Sequence, residues 1–421
     1  MSDRRRLLSN MASLFTLQGA NYLLPLVTLP YLVRVLGPEK FGLIAFAQAF
    51  IQYFVVLTDY GFNLSATREV AVHREKPEKL ADIVSTVLTL KILFALAGLL
   101  LLAALVFTFA TFRSHWPLYF IVYLTVLGST IFPMWLFQGL ERMRDITWMN
   151  VAARLITTVA IFIFVHHPED YAVAAAIQSI PVLLAAIPAW TVLRTVHAVS
   201  WRMPTFHALK VQIRRGWPLF LSTAAINVYT SSNTFVLGLI AGPGAVGYFS
   251  AANKISGAVI GLYQPVNQTL YPHISKLSEH TPGDAIRFIK KIYPLFVLGG
   301  LVSTATLFIF AHAIVQIMLG VGYAASISVL EWMAFLPIIL AFGHIYGGLT
   351  MLPLGLNRLF SRIVLISALI DLAAIYPLVT LYGAKGAAMT TVTAEVCVTT
   401  LLLATAKRKR LFSSNGFVIA E

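Results

Sequence analysis

Apolar residues run through almost the whole chain in unbroken stretches of twenty or more, and no other feature restricts the fold as much. A run of 18 or more apolar residues reads as a membrane helix. Twelve such segments are legible: 8–36, 41–62, 83–109, 117–139, 146–165, 171–193, 216–241, 246–271, 292–319, 329–352, 363–381 and 386–406. At a rise of about 1.5 Å per residue, each can cross a hydrocarbon core of about 30 Å. A barrel strand would need only about ten alternating residues, and these runs are longer and continuous. Backbone in lipid must satisfy its own hydrogen bonds, so helices follow. The expected fold is an all-α integral membrane protein with twelve transmembrane helices. Composition agrees: 58% of the residues are hydrophobic and 11% charged, where a soluble globular chain carries about 45–50% and about 25%. An ordinary soluble enzyme and a disordered chain are thereby excluded. The single cysteine, Cys397, excludes a disulfide framework and a Cys-based zinc site.

The net charge of +14 would suit nucleic acid, but the positions of the charges explain it better. Of the 31 Lys and Arg residues, Lys91, Arg154 and Lys254 fall within spans, and Arg34, Lys40, Arg113 and Lys385 fall on one side of the membrane. The remaining 24 fall on the other, which the positive-inside rule makes the cytoplasm. Both termini are then cytoplasmic, and no nucleic-acid partner is expected. Arg4, Arg5 and Arg6 resemble the basic end of a signal peptide. The apolar run after them is too long and lacks a small-residue cleavage site, so an uncleaved first helix is expected. No loop is long enough to fold by itself, which puts any chemistry inside the helix bundle.

The chain repeats itself. Gly37-Pro38-Glu39-Lys40-Phe41-Gly42 and, 205 residues later, Gly242-Pro243-Gly244-Ala245-Val246-Gly247 each join an odd span to the next even one at the outer surface. A weaker echo pairs Gly139-Leu140-Glu141-Arg142 with Gly355-Leu356-Asn357-Arg358 at an offset of 216. Six spans per half give both halves the same orientation, as in a two-lobed transporter with its site near the midplane. The lobes are expected at residues 1–210 and 211–421. Prolines fall within many spans: Pro25, Pro30, Pro133, Pro181, Pro188, Pro265, Pro337 and Pro377. They are either simply tolerated or kinks that shape a cavity, and the first span, with two of them, is the best candidate for a kink.

An ionisable residue at membrane depth costs about 2.5–3.5 kcal/mol or more and needs a partner or water. The deep set is Lys91, Arg154 and Lys254 against Asp371 and Glu395. Asp59 sits near the inner end of its span and is read as interfacial. A cationic cavity suits an anionic substrate such as a pyrophosphate, to which Arg offers bidentate contacts and Lys a point charge. The alternative is that these residues form buried ion pairs that hold the structure together, or that the lysines reach the surface along their apolar stems. Asp371 and Glu395 could escape the cost of burial by protonation, which is a proton-coupling device. Polar and aromatic residues also gather in spans 1, 2, 7 and 8: Gln18, Asn21, Tyr22, Gln48, Gln52, Tyr53, Asn227, Tyr229, Asn233, Asn253, Tyr263, Gln264, Asn267 and Gln268. A glycan cavity would be lined in this way, although hydrogen bonds between helices use the same residue types. No metal cluster, nucleophile triad or phosphate loop is legible, so no cofactor is expected and the chain is read as a transporter rather than an enzyme.

Several motifs together resemble a known family. Gln18-Gly19-Ala20-Asn21-Tyr22-Leu23-Leu24-Pro25, Pro30-Tyr31-Leu32-Val33-Arg34-Val35-Leu36-Gly37-Pro38 and Phe41-Gly42 are similar to the bacterial O-antigen flippases of the Wzx type, in the polysaccharide transporter family. So are Asp59-Tyr60-Gly61-Phe62-Asn63, Trp135-Leu136-Phe137-Gln138-Gly139, the stretch from Val246 to Lys254, and Tyr271-Pro272-His273-Ile274-Ser275. The resemblance spans essentially the whole chain. It implies the multidrug/oligosaccharidyl-lipid/polysaccharide exporter fold, two six-helix lobes in a V, in the bacterial inner membrane. It implies the flipping of an undecaprenyl-pyrophosphate-linked oligosaccharide from the cytoplasmic to the periplasmic leaflet. A polysaccharide polymerase and chain-length proteins are the implied partners beside the lipid bilayer. Many relatives carry an acidic residue in span 7 where this chain has Asn233.

The expected function is therefore a flippase working by alternating access. The expected substrate contacts are Lys91, Arg154 and Lys254 for the pyrophosphate, with Arg34, Asn21, Gln52, Asn253, Gln264 and Asn267 alongside, and Asp371 and Glu395 for ion coupling. A drug or ion antiporter of the same superfamily is the first alternative, but it calls for acidic cavities, against the cationic excess here. A membrane-embedded glycan polymerase or ligase is the second, but it calls for a sizeable outer loop with acid/base residues.

Overall fold

The computed structural model describes residues 3–197, 201–409 and 411. Among them every regular element is helical. Among the described residues nine helices are long and apolar enough to cross a membrane: Leu24–His73, Pro77–Thr108, Trp116–Gly139, Met143–Phe164, Pro168–Leu193, Ser231–Gly261, Gly283–Ile309, Ala325–Met351 and Asn357–Arg408. Three of them exceed one membrane crossing or carry a break, and in each the backbone leaves helical geometry at one glycine: Gly37, Gly242 and Gly383. These breaks fall where the sequence places the outer turns between spans 1 and 2, 7 and 8, and 11 and 12.

The first two breaks are the same device. Gly37 has φ 69° and ψ 171°, and Gly242 has φ 79° and ψ 177°. Only glycine occupies that region readily. The proline that follows each one disfavours a helical ψ in the residue before it, yet its own fixed φ suits the first turn of the next helix. A Gly-Pro pair therefore ends one helix and starts another with no loop between. The helix runs on through both Pro25 and Pro30, and the backbone leaves helical geometry only later, at Gly37. Pro133 and Pro181 do interrupt helices, lying between Leu124–Ile131 and Met134–Gly139 and after Tyr171–Ser179.

The weaker echo also has a structural counterpart, in a shifted register. Glu141 has φ 58° and Gly355 has φ 77°. In each case the next residue's amide reaches five residues back: Arg142 N–H to the Phe137 carbonyl and Leu356 N–H to the Met351 carbonyl, both at 2.9 Å. That bond closes a helix end with a left-handed residue. The structure thus pairs Glu141 with Gly355, two residues away from the pairing suggested by sequence.

The chain divides into two compact units, Met1–Phe235 and Val236–Glu421. In the first, one core joins Phe62, Ala66 and Val70 to Leu80, Val84, Val87 and Leu90, to Trp135, Leu136 and Phe137, and to Ala185, Ala186, Ala189 and Leu193. In the second, Ile274, Ile289, Phe296, Ala341 and Ile345 form one cluster, and Met351, Ile363, Leu402 and Ala406 another. Outside these cores the helices stay apolar. On Pro77–Thr108 the side chains of Leu93, Leu96, Leu100, Leu101 and Phe107 are all exposed. A soluble protein rarely exposes such a contiguous apolar surface, whereas lipid covers it at no cost.

Helices pack tightly at Gly139. A Cβ there would lie 2.5 Å from Val70 Cγ1 and 2.8 Å from the Thr67 carbonyl oxygen, and Thr67 Oγ1 donates to the Trp135 carbonyl at 3.1 Å. At Gly244 an added Cβ would meet nothing within 4 Å. Gly139→Ala is expected to destabilise the protein by about 1–3 kcal/mol through overpacking, whereas Gly244→Ala is expected to be neutral or slightly stabilising. Thermal unfolding of the two variants in detergent checks this, and equal behaviour would contradict the packing described here.

Candidate functional site

The deepest charge in the first unit is already balanced. Lys91 is 1% exposed. Its Nζ donates to Asp59 Oδ1 at 2.8 Å and to the Ser129 carbonyl at 2.6 Å. Proline explains the second bond. In a continuing helix the Ser129 carbonyl would accept the amide of residue 133, but that residue is Pro133 and has no N–H. The lysine takes the place of the missing donor. Asp59 sits at the end of its helix, where Tyr60 turns left-handed at φ 42°, and its other oxygen, Oδ2, accepts Asn63 Nδ2 at 3.0 Å. Asp59, at the end of its helix and 23% exposed, is the counter-charge of Lys91, a partnership that its reading as an interfacial residue leaves out.

Arg154, on the helix Met143–Phe164, is half-buried, and Arg34 near the end of its helix is exposed. The amides of the first unit mostly answer one another. Gln52 Nε2 donates to Asn227 Oδ1 at 3.3 Å and Gln48 Nε2 to Gln178 Oε1 at 3.4 Å. Beside them stands an aromatic column. Phe50 stacks on Phe112 and Phe235 at 4.9 and 5.4 Å between ring centres and meets Tyr119 edge-on at 5.9 Å. The side chains of Gln18, Asn21, Tyr22, Tyr229 and Gln268 lie outside the described residues.

The second unit places its polar residues differently. Asn253 and Gln264 are exposed, while Lys254 and Asn267 are half-buried. The helix ending at Gly261 continues through a helical Leu262 into Tyr263–His280. Residues 253, 264 and 267 therefore fall about three and four turns apart on one face. Asn267 Oδ1 is buried without a hydrogen-bond partner. Asp371 is 1% exposed on the helix Asn357–Arg408, and Glu395 on the same helix is half-buried.

The structure therefore joins Lys91 to Asp59 and Gln52 to Asn227 within the first unit, and aligns Asn253, Gln264 and Asn267 within the second. Sequence reasoning missed the role of Asp59 and of the Ser129 carbonyl. Pro133 was the available signal, since a proline four residues after a buried carbonyl announces a vacant acceptor.

The sequence from residue 7 to residue 278 matches the model of a family described as polysaccharide biosynthesis protein. A protein of Escherichia coli (strain K12) named "Putative O-antigen transporter" is 34% identical over 410 residues, which cover 97% of this chain and 99% of that one. A protein of the same name from Shigella dysenteriae is 31% identical over 398 residues, covering 94% and 99%. Among solved structures, the fold is similar to an inward-facing multidrug resistance MATE family transporter of the MOP superfamily, with a TM-score of 0.72 at 15% identity over 95% of this chain and 96% of that one. It is also similar to the lipid II flippase MurJ in an inward closed conformation, with a TM-score of 0.66 at 14% identity over 95% and 87%.

Breaking a buried pair by removing one partner costs about 3–5 kcal/mol, because the other charge stays behind. Asp59 keeps 23% of its side chain exposed, so the low end applies. Lys91→Met and Asp59→Asn are each expected to cost about 3 kcal/mol, and the double variant clearly less than their sum. A double-mutant cycle on thermal stability measures this, and strict additivity would contradict the pairing.

Proposed function

Because the chain belongs to the polysaccharide biosynthesis protein family, we propose that it is a flippase for lipid-linked oligosaccharide. In this reading the substrate is an undecaprenyl-pyrophosphate-linked repeat unit, carried from the cytoplasmic to the periplasmic leaflet of the inner membrane by alternating access. Each helix that breaks at Gly37, Gly242 or Gly383 counts as two spans, giving twelve with both termini in the cytoplasm. The lobes that move are 1–210 and 211–421.

The observation that carries this reading is the exposed amide face of the second unit. Asn253 is exposed on the helix Ser231–Gly261, which is apolar enough to cross a membrane, with Lys254 next to it, and Gln264 is exposed on the helix that follows, Tyr263–His280. Polar groups at membrane depth face water or a bound partner. Amides in a row offer donors and acceptors to sugar hydroxyls, and a neighbouring cation offers a contact to a phosphate oxygen. Lys254 and Arg154 hold the pyrophosphate, with Arg34 at the outer end of its helix. Asn21, Gln52, Asn253, Gln264 and Asn267 serve the glycan. Lys91, whose ammonium is engaged by Asp59, acts by fixing the helices that carry the site. Asp371 and Glu395 couple the cycle to protons, and a polymerase and chain-length proteins take up the product.

A hydrogen bond to a charged group is worth about 1.5–3 kcal/mol. Arg154→Ala and Lys254→Ala are each expected to lower export of the glycan about tenfold or more, with protein level unchanged. The assay is surface glycan, together with the lipid-linked intermediate that accumulates, in cells whose only copy is the variant. Normal export by both variants at native expression would overturn the cationic contact.

A further inference from the structure

Away from the residues given to the substrate, the first unit holds a cavity of about 430 Å³. Its walls are the end of the helix Phe62–His73, the start of the helix Pro77–Thr108, and the stretch from Arg202 to Arg215. That stretch is fastened in place: Arg202 N–H donates to Ser85 Oγ at 2.9 Å, and its guanidinium lies 3.7 Å from Glu78 and 3.9 Å from Asp82. Arg215 pairs with Glu69, and His73 Nδ1 lies 2.9 Å from the Glu69 carbonyl. The two acids in the wall, Glu69 and Asp82, are thus each matched by an arginine. Lys79, also in the wall and exposed, takes part in none of these pairs.

Gln212 completes the wall and is 4% exposed. Its Nε2 is buried and has no hydrogen-bond acceptor. A buried donor left unsatisfied costs about as much as a lost hydrogen bond, and one that faces a cavity is satisfied by an acceptor that enters it. The cavity has the size of a small-ligand pocket. Gln212 Nε2 has no acceptor in it, Lys79 stands outside its ion pairs, and each of its two acids faces an arginine. All three features select an anion rich in oxygen acceptors.

We propose that this cavity binds a phosphate-type anion, with the Gln212 amide and the Lys79 ammonium as its contacts and Arg202 and Arg215 holding the walls. The phosphate comes either from a phospholipid headgroup at the membrane surface or from free solution. The site does not depend on the transport reading, and the test below reads binding alone.

The experiment uses the purified full-length protein. In detergent, thermal unfolding is followed against sodium phosphate and pyrophosphate, with sodium chloride at matched ionic strength as control. In nanodiscs, retention of phosphatidylglycerol over phosphatidylcholine is read by native mass spectrometry. Saturable stabilisation by phosphate or pyrophosphate assigns the site to a free anion, and selective retention of phosphatidylglycerol assigns it to a headgroup. Either result is expected to weaken about tenfold in Gln212→Leu and in Lys79→Gln, whose unliganded melting points stay at the wild-type value. Lys79 is on the surface, so Lys79→Gln serves if the buried Gln212→Leu fails to fold. Absence of saturable binding by every probe, or binding unchanged in the folded variants, overturns the proposal.

Discussion

In the interior of a membrane protein a carbonyl without an amide partner has no water to turn to, and Pro133 creates one such carbonyl at Ser129. The arrangement of the first unit follows from how that group is satisfied. Lys91 reaches it from the helix Pro77–Thr108 and brings a positive charge. The charge needs a counter-ion, and Asp59 supplies it from the end of a third helix. Three helices are thereby tied at one point by two short bonds. The left-handed turn at Tyr60 and Gly61 aims Asp59 inward and starts the helix that docks against Gly139. Changing any one of these residues leaves a buried polar group without its partner, which is costly in a low dielectric.

The two units are built with shared devices. A glycine in a region closed to other residues, followed by a proline, turns the chain at Gly37 and again at Gly242. A left-handed residue with a bond five residues back ends a helix at Glu141 and again at Gly355. They differ in how polar side chains are used. In the first unit amides pair with amides across helices. In the second, Asn253 and Gln264 remain exposed. A transporter needs both kinds: paired groups to hold the bundle, and open ones to meet a polar cargo.

Much of this was legible in the sequence, for physical reasons. Runs of apolar residues gave the helices because lipid leaves the backbone no alternative. The Gly-Pro pairs gave the turns because each residue restricts φ or ψ locally. What depends on contacts between distant residues was not legible. Lys91 read as a candidate for substrate because its partner lies 32 positions earlier in the chain, at a helix end that looked interfacial. Pro25 and Pro30 left tolerance and a kink equally open in the sequence, and the helix continues through both, as membrane helices permit. The Arg202 and Gln212 cavity was invisible because counting Lys and Arg by side ignores the acids that neutralise them. The amide face at Asn253, Gln264 and Asn267 was half legible: the sequence gathered these residue types in span 8, and only the structure showed that Asn253 and Gln264 are exposed and that Asn267 Oδ1 is buried without a partner.

Family membership, the all-helical membrane fold and the exposed amides near Lys254 support the proposed account, a carrier for lipid-linked oligosaccharide. The most direct measurement is transbilayer movement in proteoliposomes that contain the purified protein and an undecaprenyl-pyrophosphate-linked oligosaccharide in the inner leaflet. Access of a membrane-impermeant oxidant to the glycan reports its arrival outside. The account predicts progressive loss of protection that scales with the amount of protein and falls about tenfold with Lys254→Ala. Protection that decays no faster than in protein-free vesicles would contradict it.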